Sequence, residues 1–177
     1  MNEFMLMYPT IQYKSQIEKY KQDMLNAESS MDGCGTLRVD NFEDWLQKCN
    51  EWREGKNLPE GFVQSSQYIW VRLSDNKIMG MLQIRHELSE YLLNYGGHIG
   101  DSIAVDERNK GYGKKLLALG IAICKDMGID KVLIACKETN VASRKCILAN
   151  GGKFEDVRQR PDGVKLERYW VDTTANS

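Results

Sequence analysis

Residues 103–117 read IAVDERNKGYGKKLL, and within this short span the apolar pattern changes its period. An apolar strand runs from His98 to Val105, and a polar loop follows over Asp106–Lys110. A helix then opens at Gly111, Tyr112 and Gly113 and continues to about Met127. Its Leu116, Leu117, Ile121, Ile123 and Cys124 are read as the face packed on a sheet. Gly128 ends it, and Lys131–Cys136 is a second β-rich run. Strand, helix and strand in that order form a βαβ unit, which implies two parallel strands joined by a right-handed crossover. The turn at 106–113 brings unsatisfied helix N–H groups and the positive end of the helix dipole to one point. Glycines there let a ligand approach the backbone, and Arg108, Lys110, Lys114 and Lys115 add positive charge. Such a turn is an anion site, and a pyrophosphate suits it.

Around this unit the sequence predicts further elements. Residues 3–8 read as a strand and 11–27 as a helix capped by Thr10, with Ile17, Tyr20, Met24 and Leu25 near one face. Asn41 caps a second helix whose Phe42, Trp45, Leu46, Cys49 and Trp52 follow helical spacing, ended by Gly55. Tyr68–Leu73 and Ile78–Ile84 read as a hairpin turned at Asp75, Asn76 and Lys77. A helical turn near Leu88–Asn94 precedes the His98 strand. A helix near Val141–Asn150 follows the βαβ unit, and two strands near 153–159 and 164–171 close the chain. The expected fold is α/β: a mixed, mostly antiparallel sheet with a central parallel βαβ unit, flanked by helices. The whole chain, 1–177, is read as one domain.

The net charge is −1, which argues against a nucleic-acid or acidic-membrane binder, because both need excess Lys and Arg. Cys34, Cys49, Cys124, Cys136 and Cys146 are odd in number and form no C-x-x-C pair, and His86 and His98 are the only histidines. Reduced thiols, no metal site and a cytoplasmic location are therefore expected. No 18-residue apolar run occurs.

Three phosphate-binding patterns compete for the turn. A P-loop needs G-x-x-x-x-G-K-[ST], but Arg108 stands where the first glycine belongs and Lys115 follows Lys114. A dinucleotide fingerprint needs a third glycine where Leu116 stands. What remains is Arg108-x-x-Gly111-x-Gly113, which resembles the R/Q-x-x-G-x-G/A pattern of the GNAT superfamily of acetyltransferases. The segment from Asn140 to Phe154, NVASRKCILANGGKF, is similar to the second motif of that superfamily. The likeness covers about residues 67–171, and residues 84–100 resemble a bacterial subgroup without an assigned acceptor.

The resemblance implies an acetyl-CoA-dependent N-acetyltransferase. By it, the backbone of Ile103, Ala104 and Val105 would pair with pantetheine amides. The N–H groups of Arg108, Asn109, Lys110, Gly111, Tyr112, Gly113 and Lys114 would cradle the pyrophosphate, and Asn140 and Ser143 would touch the pantetheine arm. Asn140 serves equally as a helix N-cap. Many GNAT enzymes carry a proton-donating tyrosine seven residues after that Asn; here the position is Ile147. Water or Cys146 would then protonate the leaving thiolate, which departs acceptably as an anion.

Direct attack by a neutral amine needs a base, and the candidates are His98, Asp101, His86 and Glu87, with the Val105 N–H as oxyanion donor. Trp45, Trp52, Tyr68 and Trp70 are read as core, with an acceptor pocket as the alternative. Residues 1–66 are expected to shape the acceptor side. The partner is expected to be a small-molecule or peptide amine, with a homodimer possible. A domain that binds acyl-CoA without transferring the acyl group, or a regulatory one, is the other class of answer.

Overall fold

The computed structural model describes residues 3–175. Its strands are β1 Phe4–Met7, β2 Ser65–Arg72, β3 Lys77–Arg85, β4 Ile99–Ile103, β5 Lys131–Lys137, β6 Lys153–Gln159 and β7 Lys165–Asp172. The helices are α1 Lys14–Asn26, α2 Phe42–Arg53, α3 Tyr112–Asp126 and α4 Val141–Ala149. The strands make two antiparallel sheets, β1-β2-β3-β4 and β5-β7-β6.

Alternation along the strands divides the core in two. Ile69, Val71, Ile78 and Met81 face α1 and α2, while Trp70, Met79, Leu82, Ile84 and Ile99 face α3. Helix α1 buries Ile17, Tyr20 and Met24, and α2 buries Phe42, Trp45, Cys49 and Trp52. Both sets follow the spacing of one helix face. The Asn41 carboxamide accepts the Asp44 N–H at 2.8 Å and caps α2 as expected. In α3 a side chain at position 120 would meet Leu82 at 3.0 Å, so Gly120 lets the helix lie close on β3.

Two local expectations give way. Thr10 makes no capping bond, because a 3₁₀ turn at Ile11–Tyr13 delays the α-helix until Lys14. Thr10 thus lies too far upstream to reach the free N–H groups of α1. The helical turn before β4 is a π turn at Leu92–Gly96.

The larger difference concerns the βαβ unit. Its two strands, β4 and β5, edge different sheets, and no continuous parallel ladder joins them. They meet just before β4. Gly97 bridges Ile134, the His98 N–H donates to the Leu133 carbonyl at 2.7 Å, and the Leu133 N–H donates to His98 Nδ1 at 3.0 Å. Arg85 Nη1 adds bonds to the carbonyls of Gly96 and Gly97 at 3.2 and 3.3 Å. Beyond this vertex the strands part.

Gly97 has φ +70°, and a Cβ there would lie 2.4 Å from the Leu133 carbonyl oxygen. Gly97→Ala should therefore cost at least about 2 kcal/mol through strain and collision, seen as a lower urea midpoint. Burial, helped by the Arg85 charge, lowers the His98 pKa to about 4. An unfolded histidine takes its proton near pH 6.5, so the unfolded chain binds more protons between these values and acid favours unfolding. His98→Asn keeps an acceptor for Leu133 without titrating. Thermal melts should show the native protein losing stability from about pH 6.5 towards pH 4 more steeply than this variant.

Candidate active site

Where β4 and β5 part, each leaves an outer edge without a strand partner. The outer edge of β4 leads into Val105 and the phosphate-type turn. Ala104 is still held, its N–H donating to Met79 at 2.9 Å, but among the described residues the Val105 N–H has no partner. A 3₁₀ turn at Val105–Glu107 then redirects the chain. Asn109 adopts φ +62°, and Gly111, at φ +84°, stands at the N-cap of α3 with no side-chain cap. A Cβ on Gly111 would meet nothing within 4 Å, so the approach to this backbone is open. The first helical turn has no intrahelical partners for its N–H groups, and its dipole favours an anion.

The basic side chains of the turn are used differently from the sequence expectation. Arg108 folds back on its own turn, its Nε donating to the Ile103 carbonyl at 3.2 Å and its Nη2 to Ser29 Oγ at 3.1 Å. Lys110 donates to Glu107 at 3.1 Å. Glu107 is buried and also accepts Arg72 at 3.1 Å and Lys77 at 3.0 Å. Hydrogen bonds from Lys77, then Lys110, hold its carboxyl at about 2. Arg108 and Lys110 thus shape the turn, and Lys114 and Lys115 remain exposed on α3. Tyr112 anchors the helix start against Phe4 and Trp70, at ring distances of 5.7 and 5.9 Å.

On the other side of the opening, Asn140 caps α4 by accepting the Ser143 N–H at 3.1 Å. A Cβ on Gly113 would meet Cys146 Sγ at 3.2 Å, so α3 and α4 approach closely at the mouth. Cys146 is half-buried, and its thiol pKa is raised by burial and by the charge of Asp101. Ile147 is buried in the core, where a side chain on Gly152 would strike it at 2.4 Å. The residue at the tyrosine position therefore faces the core and offers no proton.

The four candidate bases occupy different surroundings. His98 spends its Nδ1 lone pair on Leu133 at the vertex. In the antiparallel register Gly80 pairs with Ile103 and Ile84 with Ile99, so His86 and Glu87 lie past the end of β4 remote from the turn. There His86 Nε2 shares a hydrogen bond of 2.8 Å with Ser66 Oγ, and burial lowers its pKa. Asp101 is in β4 itself, and alternation puts it on the α3 side with Ile99 and Ile103. Burial raises the Asp101 pKa to about 7; the Asp32 charge adds to the rise and Arg85 opposes it. Asp32 and Arg85 act here through their charge, and neither carries a sequence pattern that points to the site.

Trp45, Trp52 and Trp70 are buried. Trp45 and Trp52 flank a cavity of ≈ 10 Å³ with Gln67 and Gln83, room for about one water and no acceptor. Tyr68 stacks on Tyr8 at 5.1 Å. A wider, open groove of ≈ 400 Å³ runs between α1 and the turn, lined by Lys19, Asp23, Asn26, Ala27, Val105 and Asp106. Among the described residues no helix is long and apolar enough to cross a membrane, and all five cysteines are free thiols.

Solved structures share this architecture at low identity. The ribosomal-protein-S5-alanine acetyltransferase of Vibrio fischeri superposes with a TM-score of 0.75 at 14% identity, over 99% of this chain and 96% of that one. RimJ of Mycobacterium smegmatis, in complex with CoA-disulfide, gives 0.74 at 15% identity, over 98% and 85%. The microcin C7 self-immunity acetyltransferase MccE, in complex with acetyl-CoA and AMP, gives 0.69 at 18% identity, over 97% and 93%. No curated protein matches the sequence. Residues 33–151 match the Acetyltransferase (GNAT) family, a span that takes in α2, the vertex, the phosphate-type turn and α4. The chain therefore belongs to the GNAT acetyltransferase family.

Proposed function

We propose that this protein is an N-acetyltransferase that moves the acetyl group of acetyl-CoA to a primary amine by direct attack in a ternary complex. The observation that carries the reading is the uncapped, open start of α3 beside the unpaired edge of β4. A long ligand with amides at one end and a diphosphate at the other suits that sequence of donors and acceptors. The edge at Ile103, Ala104 and Val105 would pair with the pantetheine amides. The N–H groups from Arg108 to Lys114 would hold the diphosphate, with Asn140, Ser143 and Cys146 against the arm.

In this scheme Asp101 takes the proton from the acceptor nitrogen as the C–N bond forms. A base with a pKa of about 7 is matched to work at neutrality, and Asp101 is the candidate with that property. The Val105 N–H donates to the carbonyl oxygen as negative charge builds there, an effect of about 3 kcal/mol for one such donor. When the C–S bond breaks, the leaving thiolate takes a proton from Cys146, whose raised pKa keeps it protonated, or from water. The groove between α1 and Val105 supports the N-terminal residues as the acceptor side. Similar folds include enzymes named for ribosomal proteins and for spermidine, so the fold leaves the choice of amine open.

Free-thiol release from acetyl-CoA across a panel of primary amines tests the reaction. Activity should rise with pH through about 7 as Asp101 loses its proton. Asp101→Asn should lower kcat/KM by about 10²-fold or more at pH 7 and abolish that limb. Unchanged kinetics in the variant would remove Asp101 from its role. Acetyl-CoA binding without thiol release for any amine would favour a domain that only binds or senses acyl-CoA.

The same substitution has a consequence for stability. The Asp101 carboxyl titrates near 4 in the unfolded chain and at about 7 in the fold. Between those values the folded chain binds more protons, so this group makes stability fall as pH rises. Asp101→Asn should therefore melt higher than the native protein at pH 8, with the difference shrinking towards pH 4.

A further inference from the structure

Between α4 and the second sheet lies a polar cluster that the reaction scheme does not use. Glu167 on β7 is buried, with Tyr169 and Cys136 buried beside it. Its carboxylate accepts Arg144 Nε at 2.8 Å and Nη2 at 2.6 Å, a two-pronged pair. Tyr169 Oη donates to the same carboxylate at 2.5 Å. The Arg144 hydrogen bonds, above all, hold the carboxyl below its usual range. Arg144 Nη2 also donates to the carbonyl of Glu138, in the turn between β5 and α4. One guanidinium therefore ties together a strand of the second sheet, the turn that enters α4 and the first coil of α4.

That helix has little else to orient it. It spans Val141–Ala149 and fully buries one side chain, Ile147. A helix this short does not hold itself in water, and one buried residue fixes its distance from the sheet better than its rotation. Arg144 stands one residue after Ser143 and four after Asn140, and its own N–H donates to the Asn140 carbonyl at 3.1 Å. A rotation of α4 that moved Arg144 off Glu167 would carry Asn140 and Ser143 with it.

We propose that Arg144 and Glu167 are positioning residues that set the rotation of α4 and so present Asn140 and Ser143 to the pantetheine arm of acetyl-CoA. The proposal rests on the reading of the opening between β4 and β5 as the acetyl-CoA site. The pair makes no contact with the reacting atoms; it acts through the helix start. Four donors on one carboxylate, the two from Arg144, the Tyr169 hydroxyl and the Cys136 thiol, fit a device for geometry, since a partly exposed ion pair such as this adds little net stability.

The test compares the native protein with Glu167→Gln and Arg144→Lys. Glutamine keeps the shape of the carboxylate and removes its charge; lysine keeps the charge and removes the two-pronged geometry. Calorimetry with CoA and steady-state kinetics are run well below the melting point of each variant. Both variants should bind CoA about 10-fold more weakly and raise KM for acetyl-CoA to match, with KM for the amine within about twofold of native. Lower melting temperature with unchanged CoA affinity would make the pair merely structural and overturn the proposal. Should Glu167→Gln fail to fold, Arg144→Lys decides alone by the same readings. Native protein that fails to bind CoA would instead overturn the reading of the site, and the clamp proposal with it.

Discussion

Two antiparallel sheets meet in this protein at little more than one pair of residues, His98 and Leu133, and the cleft exists because they meet there and nowhere further along. Leu133 is engaged on both its backbone groups: its carbonyl takes the His98 N–H, and its N–H goes to the His98 ring. A side chain thus supplies a bond that a continuing ladder would draw from backbone. Gly97 makes the approach possible, since its φ of +70° and its contact with the Leu133 carbonyl both exclude a Cβ. With the ladder ended so early, the amides of the outer edge of β4 are left for a ligand, and the same strand delivers the chain to the uncapped start of α3. Edge strands are usually covered or charged to prevent stray pairing. Here the open edge is short and lies between two sheets, where the proposed acetyl-CoA would cover it.

The vertex also accounts for the opposite fates of its two neighbouring titratable groups. His98 and Asp101 are close in sequence, both are removed from water, and Arg85 stands near each. Burial penalises whichever form is charged, so it lowers the histidine and raises the aspartate. The Arg85 charge pushes both downwards, which deepens the shift of His98 and limits that of Asp101. The outcome is a histidine that stays neutral and structural and an aspartate brought to about neutrality. A carboxylate thus comes to hold the near-neutral pKa that the free value of histidine would suggest for the ring, because the environment sets the value.

Much of this was legible in the sequence where a pattern is local. The change of period at Val105 and the glycines at 111 and 113 located the turn, and Asn41 and Asn140 announced their helices. Thr10 looked the same as those caps and failed, because a 3₁₀ turn of three residues is not visible in apolar spacing. The order strand–helix–strand implied a parallel pair, yet it carries no information on whether the pair closes; that depends on what reaches Leu133 from a distance. The clamp between α4 and the second sheet was equally hidden, since Arg144 and Glu167 stand 23 residues apart in segments with no shared pattern. Trp45 and Trp52 were legible as core because a helix face of aromatic residues needs no ligand to explain it.

The absent tyrosine illustrates how a count along the chain differs from a direction in space. Ile147 holds the position expected of the proton donor, and it is the one residue of α4 fully buried against the core. The neighbouring Cys146 is rotated by one residue, roughly 100° around the helix axis, and reaches the start of α3 beside Gly113. The face of α4 that looks into the cleft is therefore marked by Ser143 and Cys146, while its core face is marked by Ile147. The two hydrogen bonds from Arg144 to Glu167 hold α4 at this rotation. In the proposed reaction that rotation would leave the thiolate two proton sources, the half-buried Cys146 thiol that its surroundings keep protonated, and solvent.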